Sequence, residues 1–471
     1  MTRSAKDVLW QALSKQLVSQ LFARILSVVS LIILAKVFEP SAFGNISGLL
    51  AIALLISPLV DAGVDFPVSQ LRFLSRKSYF LLMGRAIFIK SLCAAFICVL
   101  YLTFGHYIIY YIKGLEIYFP IVLLISYFRS VIGTFSAHLR AIHRFDLELR
   151  AAIISRSLEI IILFILIKAS PTVVMALVSV LLGAIISFLV FFVYTLSNIR
   201  HQIKSDSLND PSTPSIKDLC ITALPFFCSS IAVSGYTNAN QVFVYSLSGD
   251  IESAWYRAAT LFPFSITAIV GSLNVGIYSL LNRQSSKISI QNILYNQMSQ
   301  LSIIIIPAAT LIFLFSKSLL NIFFGPEYTT CAPIMMLAGV YVLLVVVSNS
   351  LGQTLGALGL QRYVLALSLI NLIISLLFCY TFIPTHGALG AVISVILVES
   401  FSVIFLSFTM KIKLSIEIEL KWCQSGILYS APLLFIAVLF PHTYPIAEVT
   451  TAIVLYMITV FFGLYIKNGK K

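Results

Sequence analysis

The chain has 471 residues, of which 59% are hydrophobic and 10% are charged, and its formal net charge is +13. Apolar atoms already form roughly 55–60% of the surface of an ordinary soluble protein, so a soluble fold could not hide this much additional apolar surface. The composition therefore excludes a soluble protein and predicts an all-α polytopic membrane protein.

About fourteen apolar stretches of near twenty residues follow one another along the chain, and this is the length that a helix needs to cross a bilayer. In chain order, the predicted transmembrane helices are 17–37, 42–60, 81–101, 119–137, 152–167, 173–196, 219–247, 255–281, 298–315, 333–351, 364–382, 388–408, 426–440 and 446–466. The seventh and eighth contain Pro225 and Pro263, which predict kinks or breaks in those helices.

The basic residues are distributed unevenly over the two sides of the predicted bundle. One side has only Lys36, Lys113, Lys168 and Lys317, whereas most of the 31 Lys and Arg residues, Lys90 among them, form a basic rim on the other side. Because basic loops stay in the cytoplasm, this bias predicts cytoplasmic N- and C-termini and an even number of helices. The same bias explains the net positive charge without nucleic acid as a partner.

The chain repeats itself at an offset of about two hundred residues. Leu139–Phe145 and Leu355–Tyr363 each close one predicted helix, turn on an arginine followed by an aromatic residue, and lead into the next helix. Glu39–Asn45 and Asp250–Ala258 are similar in the same way, before the second helix of each half. The pattern predicts an internal duplication.

The duplication divides the chain into four predicted segments. Residues 1–200 form a first lobe of six helices, 201–218 a cytoplasmic linker, 219–410 a second lobe of six helices, and 411–471 two C-terminal helices. Six is an even number, so both lobes have the same orientation in the membrane. Transporters built from such repeats bind their substrate between the halves, which predicts two pseudo-symmetric lobes around a central cavity.

Four short motifs carry a resemblance to a known family. Phe38–Asn45 resembles the P-x-x-F-G-x-Y signature of polysaccharide transporters, with Asn45 near the usual tyrosine, and Asp61–Val64 resembles their D-x-G signature. Arg140–Phe145 resembles their fourth cytoplasmic turn, and His386–Ala391 resembles their x-G-A-x-G-A entry to the twelfth helix. In this order and spacing, the motifs make the chain similar to the Wzx-type O-antigen flippases of the multidrug/oligosaccharidyl-lipid/polysaccharide (MOP) exporter superfamily.

This resemblance implies a transporter of the bacterial inner membrane that is not an enzyme and has no cofactor. Its substrate would be an oligosaccharide on undecaprenyl pyrophosphate, flipped from the cytoplasmic to the periplasmic leaflet by alternating access. The implied partners are membrane lipids and the polysaccharide polymerase and chain-length machinery. Coupling to H⁺ or Na⁺ is a further expectation. The membrane potential would favour outward movement of an anion by about 2.3 kcal/mol per charge per 100 mV.

Three arginines at membrane depth are the candidate pyrophosphate site. Arg24, Arg129 and Arg257 lie in the first, fourth and eighth predicted helices, and Arg24 is expected to be buried among apolar neighbours. A charge at this depth usually faces a cavity or a partner, and guanidinium can bind phosphate with two parallel hydrogen bonds. Two alternatives stay open: Arg257 could reach the membrane interface, and Arg129 could pair with a buried carboxylate.

Four acidic residues are candidates for ion coupling or gating. Asp61 and Asp65 end the second predicted helix, near the arginines of the following loop, and Glu159 follows Arg156 at a spacing that permits an ion pair. Glu399 has no basic residue near it in the sequence, which makes it the candidate proton or sodium site. Asp61, Asp65 and Glu159 have a structural alternative, with a gating role only where their ion pairs exchange between states. The structural alternative for Glu399 is a hydrogen bond to a helix neighbour.

The seventh predicted helix carries a cluster of residues able to contact sugars. Tyr236, Asn240 and Tyr245 combine amide and aromatic groups, which hydrogen-bond and stack on sugar rings. The same groups also bond helices to one another inside membranes, at about 0.6–2 kcal/mol each. For any single residue this helix-bridging interpretation competes with sugar contact.

Other functions compete with the flippase interpretation. A multidrug exporter or a peptidoglycan-precursor flippase of the same superfamily would share the fold, although a drug pump should carry acids rather than arginines in its first lobe. A polysaccharide polymerase would need a large periplasmic loop, and every predicted periplasmic loop is short. The six histidines show no metal spacing, and the chain has no phosphate-binding G-x-x-x-x-G-K-[ST] loop.

Overall fold

The computed structural model describes residues 21–70, 76–111, 115–142, 144–202, 214–281, 287–416, 420–439 and 445–469. Within these ranges the chain forms helices joined by short turns, and no strand occurs. Eight of the described helical segments are long and apolar enough to cross a membrane. The predicted class, an all-α polytopic membrane protein, is confirmed.

Fourteen α-helices follow one another in the described ranges. They are α1 (21–37), α2 (Pro40–Asp61), α3 (Asp65–Gln70), α4 (Arg76–Tyr111), α5 (Leu115–Ala141), α6 (Phe145–Ala169), α7 (Val173–Gln202), α8 (Ile216–Ser248), α9 (Asp250–Leu281), α10 (Lys287–Phe323), α11 (Ala332–Ala357), α12 (Gln361–Leu414), α13 (Cys423–Leu439) and α14 (Pro445–Gly469). Two short 3-10 helices, Pro326–Cys331 and Leu420–Trp422, precede α11 and α13.

The longest helix, α12, consists of two halves. Its 54 residues are interrupted at Gly387, whose φ of 54° and ψ of −134° are not helical. The halves match the predicted helices 364–382 and 388–408. Asn371 in the first half donates a hydrogen bond from Nδ2 to Ser402 Oγ in the second, at 2.8 Å. The two halves therefore pack against each other as a hairpin.

The prolines of α8 and α9 do not break these helices. Both helices continue through Pro225 and Pro263, whereas non-helical dihedral angles occur at Phe315 in α10 and at Gly387 in α12. A proline removes one backbone hydrogen bond, and long membrane helices tolerate this loss through local adjustment. The predicted breaks are therefore absent.

The repeated sequence motif forms the same turn twice. Between α5 and α6, the amide of Arg144 donates to the carbonyl oxygen of Leu139 at 2.9 Å. Between α11 and α12, the amide of Leu360 donates to the carbonyl oxygen of Leu355, also at 2.9 Å. The two turns thus share their closing hydrogen bond as well as their sequence, in agreement with a duplicated helical unit.

The described helices fall into two compact units, Met1–Ser246 and Leu247–Lys471. Helix α8 packs in the first unit, where Ser234 Oγ donates to the carbonyl oxygen of Leu54 in α2 at 3.0 Å. Most of the predicted linker, residues 203–213, lies outside the described residues. The predicted division into lobes at 1–200 and 219–410, with two further helices at 411–471, stays a prediction.

The glycine of the D-x-G motif is explained by its contact with α8. Gly63 adopts a φ of +71°, and a Cβ there would lie 2.6 Å from the Ala223 carbonyl oxygen and 2.7 Å from the Phe227 nitrogen. Only glycine combines this backbone conformation with so close an approach. The motif therefore places the turn between α2 and α3 directly against α8.

Candidate functional site

A buried lysine joins α4 to three neighbouring segments of the first unit. The Lys90 side chain is fully buried, and its Nζ lies 2.6 Å from Asp61 Oδ1 and 2.7 Å from Asp65 Oδ1. Nζ also donates to the carbonyl oxygen of Ser130 in α5 at 2.7 Å, and Thr134 Oγ1 donates to Asp65 Oδ1 at 2.8 Å. These five residues are called the lysine cluster. Nζ thus donates hydrogen bonds to Asp65 and Ser130 and lies at ion-pair distance from Asp61.

The lysine cluster revises the expected environment of the two aspartates. Asp61 and Asp65 were expected near the arginines of the following loop, but the structure pairs both with Lys90, and the side chains of that loop lie outside the described residues. Burial raises the pKa of the Asp65 carboxyl above its ordinary value, while the Lys90 ammonium opposes this rise. Lys90 was missed because the sequence assigned it to the basic rim, although it falls inside the predicted helix 81–101.

A second charged group connects α5, α6 and α7. Arg156 Nη1 donates to Glu159 Oε2 at 2.7 Å, which is the ion pair that their spacing predicted. Ser187 Oγ in α7 donates to the other oxygen, Glu159 Oε1, at 2.8 Å. Arg129 in α5 has Arg156 and Glu159 as electrostatic neighbours. Arg129, Arg156, Glu159 and Ser187 are called the arginine cluster.

Within the arginine cluster, Arg129 keeps its hydrogen-bonding capacity. Its side chain is half-buried, and it forms no hydrogen bond or ion pair within the part of the chain that the structure describes. A guanidinium has five N–H donors, and Glu159 already accepts from Arg156 and Ser187. The cluster carries two positive charges and one negative charge, so an added anion would find both charge and free donors.

The other two predicted arginines have different surroundings. Arg24 was expected to be buried, but its side chain is exposed on the first unit, as is that of Ile25. The reason is that α1 presents this face to the outside of its unit rather than to its core. Arg257 is half-buried on α9 in the second unit, beside the buried Tyr256. The candidate pyrophosphate role of all three stays a prediction.

Two of the predicted sugar-contacting residues bridge or brace helices. Tyr245 is 6% exposed, its hydroxyl donates to Asn45 Oδ1 in α2 at 2.9 Å, and its ring lies against Gly48. Asn240 is 1% exposed and donates to the backbone oxygen of Tyr236 at 3.3 Å. Tyr236 itself is half-buried. Tyr245 thus bonds α8 to Asn45 of α2, which lies next to the position where the family signature has tyrosine.

We expect Tyr245→Phe to lower stability without changing substrate preference. The substitution removes one side-chain hydrogen bond, worth about 0.5–1.5 kcal/mol, and leaves the ring in place. Thermal unfolding in detergent should shift down by a few degrees, while transport of two different lipid-linked sugars should keep its ratio. A changed ratio with unchanged unfolding would instead assign Tyr245 to sugar contact.

The second unit holds a buried carboxylate without a basic partner among the described residues. Glu399 is 7% exposed, and its Oε2 accepts a hydrogen bond from Ser348 Oγ in α11 at 2.7 Å. One turn further along α12, Ser402 accepts from Asn371, whose Oδ1 is buried and has no hydrogen-bond partner within the described residues. Ser348, Asn371, Glu399 and Ser402 are called the glutamate cluster. Its unused oxygens could hold a cation or a proton.

These features define a class of protein before any relative is considered. Apolar helices of membrane-spanning length, a duplicated turn and charged groups buried at membrane depth are typical of a multi-pass membrane transporter. The chain belongs to the family described as "Polysaccharide biosynthesis protein", whose sequence profile matches residues 9–297.

Two curated relatives agree with this family. A "Putative O-antigen transporter" from Shigella dysenteriae is 22% identical over 384 residues, which cover 80% of this chain and 93% of the relative. A "Probable low-salt glycan biosynthesis flippase Agl15" from Haloferax volcanii is 25% identical over 193 residues, or 40% of each chain. The resemblance inferred from the motifs is thus confirmed.

Solved structures share the fold at low sequence identity. A structure described as "Lipid II flippase MurJ, inward closed conformation" has a TM-score of 0.72 and 16% identity, covering 96% of this chain and 99% of that one. An inward-facing multidrug resistance MATE family transporter of the MOP superfamily has a TM-score of 0.65 and 14% identity, with coverage of 83% and 94%. The predicted superfamily fold is confirmed.

Proposed function

We propose that the protein flips an oligosaccharide linked to undecaprenyl pyrophosphate from the cytoplasmic to the periplasmic leaflet of a bacterial inner membrane. Both termini would lie in the cytoplasm, and the flipped unit would pass to the polysaccharide polymerase and chain-length machinery. Support comes from the family, from the names of the two curated relatives and from the superfamily fold.

The observation that carries the proposal is the Arg129 guanidinium. A pyrophosphate presents oxygens that accept two parallel hydrogen bonds from arginine. Arg129 has free donors, lies beside Arg156, and sits in a cluster whose net charge is positive. A cationic drug would meet repulsion at this place, so the cluster favours an anionic headgroup over the cations that multidrug exporters carry.

Glu159 would limit the affinity of the arginine cluster for the pyrophosphate headgroup. Its carboxylate occupies Arg156 until the pyrophosphate arrives, and the arriving oxygens would compete for the same guanidinium. When the headgroup leaves, Glu159 would recover Arg156 and restore the ion pair. This exchange keeps binding reversible, as transport requires. The half-buried Tyr236 is the residue of α8 proposed to contact the sugar, and Arg24 and Arg257 are proposed to line other parts of the polar path.

The glutamate cluster is proposed to couple transport to an ion. Glu399 would bind H⁺ or Na⁺, with the oxygens of Asn371 and Ser348 as further ligands for Na⁺. The lysine cluster, with Asp61 and Asp65, is proposed to gate movement of the first unit by keeping or releasing its contact with Lys90. An inward-negative potential would add to the outward drive on the anionic headgroup.

A peptidoglycan-precursor flippase is the second candidate function. The observation in its favour is the TM-score of 0.72 with the structure described as a lipid II flippase. Both candidates need a site for a lipid-linked anion, so the arginine cluster does not separate them. Supplying each class of lipid-linked substrate to the purified protein separates them directly.

Arg129→Gln in proteoliposomes tests the proposed function. A charge-assisted hydrogen bond contributes about 1.5–3 kcal/mol, so flipping of an undecaprenyl-pyrophosphate oligosaccharide should fall by about tenfold to a hundredfold. Arg129→Lys should recover only part of the rate, because an ammonium lacks the planar fork. The measurement is the fraction of labelled lipid that becomes accessible in the opposite leaflet over time.

Arg150→Gln is the matched control, because Arg150 is an exposed arginine of α6 in the same unit. It should flip at the rate of the unaltered protein. Equal rates for the Arg129 and Arg150 variants, with both proteins folded and inserted, would contradict the proposed anion site.

A further inference from the structure

The interruption of α12 exposes the end of one helix and the start of another. Gly387 leaves the helical conformation between the two halves, so Ile383 lies in the last turn of the first half, where helix carbonyl oxygens lack amide partners from a following turn. Ala388 follows directly and is the first residue of the second half, where helix amides lack carbonyl partners from a preceding turn. Such groups inside a membrane protein need another partner.

The turn between α8 and α9 supplies both partners. Ser248 Oγ donates to the carbonyl oxygen of Ile383 at 3.2 Å, and Glu252 Oε2 accepts from the amide of Ala388 at 2.8 Å. A hydroxyl thus meets the carbonyl end of one half, and a carboxylate meets the amide end of the other. Both are hydrogen-bonding partners of the kind that helix ends require. Ser248 and Glu252 are called the α12 cap.

The glycine at the interruption fits this arrangement closely. Gly387 has a φ of +54°, and a Cβ at this position would lie 2.6 Å from Glu252 Oε2. Any other residue would therefore strain the backbone and push the carboxylate away from Ala388. The G-A-x-G-A pattern of this segment thus depends on a residue that lies more than one hundred positions earlier in the chain.

The α12 cap determines how the two halves of the hairpin meet. The first half carries Asn371 and the second carries Glu399 and Ser402, and the hydrogen bond from Asn371 to Ser402 crosses between them. The cap fixes the residue at which the second half starts. It therefore also fixes the position of Glu399 along the helix axis relative to Asn371. An uncapped second half could unwind by a turn and separate these oxygens.

We propose that Glu252 is a positioning residue that caps the second half of α12 and so holds the glutamate cluster in register. Its carboxylate acts as a hydrogen-bond acceptor, and its negative charge is dispensable. The consequence for transport rests on the proposed coupling role of Glu399. The structural part of the proposal stands without it.

Hydrogen exchange of the purified, unaltered and variant proteins tests the cap directly. In Glu252→Ala, amides at the start of the second half, in a peptide covering 388–396, should exchange about tenfold faster, because their helix end opens locally. Glu252→Gln keeps an acceptor oxygen and should exchange at nearly the original rate. Glu327→Gln is the matched control, an exposed acid of the same unit. Unchanged exchange in Glu252→Ala would overturn the proposal. Exchange that is equally fast in Glu252→Gln and Glu252→Ala would also overturn it.

Ion-driven flipping in proteoliposomes is the second readout. Glu252→Ala should lose the part of transport that depends on a Na⁺ or H⁺ gradient, and Glu252→Gln should retain it. Faster exchange together with unchanged gradient dependence would leave the cap established and count against coupling by Glu399. If Glu252→Ala fails to fold, Ser248→Ala tests the other half of the cap, with exchange of the amides of residues 385–387 expected to increase about threefold. Unchanged exchange there would overturn the cap.

Discussion

Lys90→Met is expected to lower the free energy of unfolding by about 3–5 kcal/mol, the usual cost of removing one partner from a buried ion pair. The substitution keeps the length of the side chain but leaves Asp61 and Asp65 side by side without a cation, and leaves the carbonyl oxygen of Ser130 without its donor. The turn between α2 and α3 would then detach from α4 and α5. Thermal unfolding in detergent, followed by loss of soluble monomer, measures the effect.

A triple variant distinguishes two causes for the lower stability of Lys90→Met, the unpaired carboxylates and the lost packing of the lysine stem. If the unpaired carboxylates are responsible, Asp61→Asn and Asp65→Asn added to Lys90→Met should restore most of the stability, because a neutral cluster needs no counter-ion. Lys168→Met is the control, since Lys168 is exposed on α6 of the same unit. A triple variant as unstable as Lys90→Met would show that packing of the lysine stem, and not its charge, holds the cluster together.

The helical architecture was predictable because hydropathy is a local property of the sequence. Each apolar stretch predicts one membrane helix without knowledge of its neighbours, and the repeated turn before Phe145 and before Gln361 is visible in the residues themselves. The exceptions were local as well. Gly387, rather than Pro225 or Pro263, interrupts a helix, because a left-handed backbone conformation ends a helix more decisively than a single missing hydrogen bond.

The charged clusters were less predictable because they join residues that are distant in the sequence. The ion pair of Arg156 with Glu159 follows from helical spacing, whereas the pairing of Lys90 with Asp61 depends on how α4 packs against α2. No local pattern contains that information. Arg24 was mispredicted for the same reason. Hydropathy places it in a membrane helix but does not indicate whether its face of the helix is buried or exposed.

Glu399→Gln is expected to abolish the dependence of transport on an ion gradient while leaving downhill flipping in place. A glutamine cannot bind a proton at its carbonyl or neutralise Na⁺, although it can still accept the hydrogen bond from Ser348. A tenfold gradient of a monovalent cation with a potential of 100 mV provides about 3.7 kcal/mol, or about a 400-fold difference in accumulation. The variant should lose nearly all of that difference.

Proteoliposomes with imposed gradients of Na⁺ or H⁺, applied one at a time, identify the ion as well as the residue. The gradient that drives the unaltered protein should become ineffective in Glu399→Gln. The control is Glu327→Gln, at an exposed position of the same unit, which should respond as the unaltered protein does.

Asn371→Ala separates the two ions further. It removes an amide oxygen that could bind Na⁺ but leaves the carboxyl that would carry a proton, so it should weaken Na⁺-driven transport and spare H⁺-driven transport. Gradient-driven accumulation that survives in Glu399→Gln would move the coupling site away from α12, and the two aspartates of the lysine cluster would then be the next acids to test.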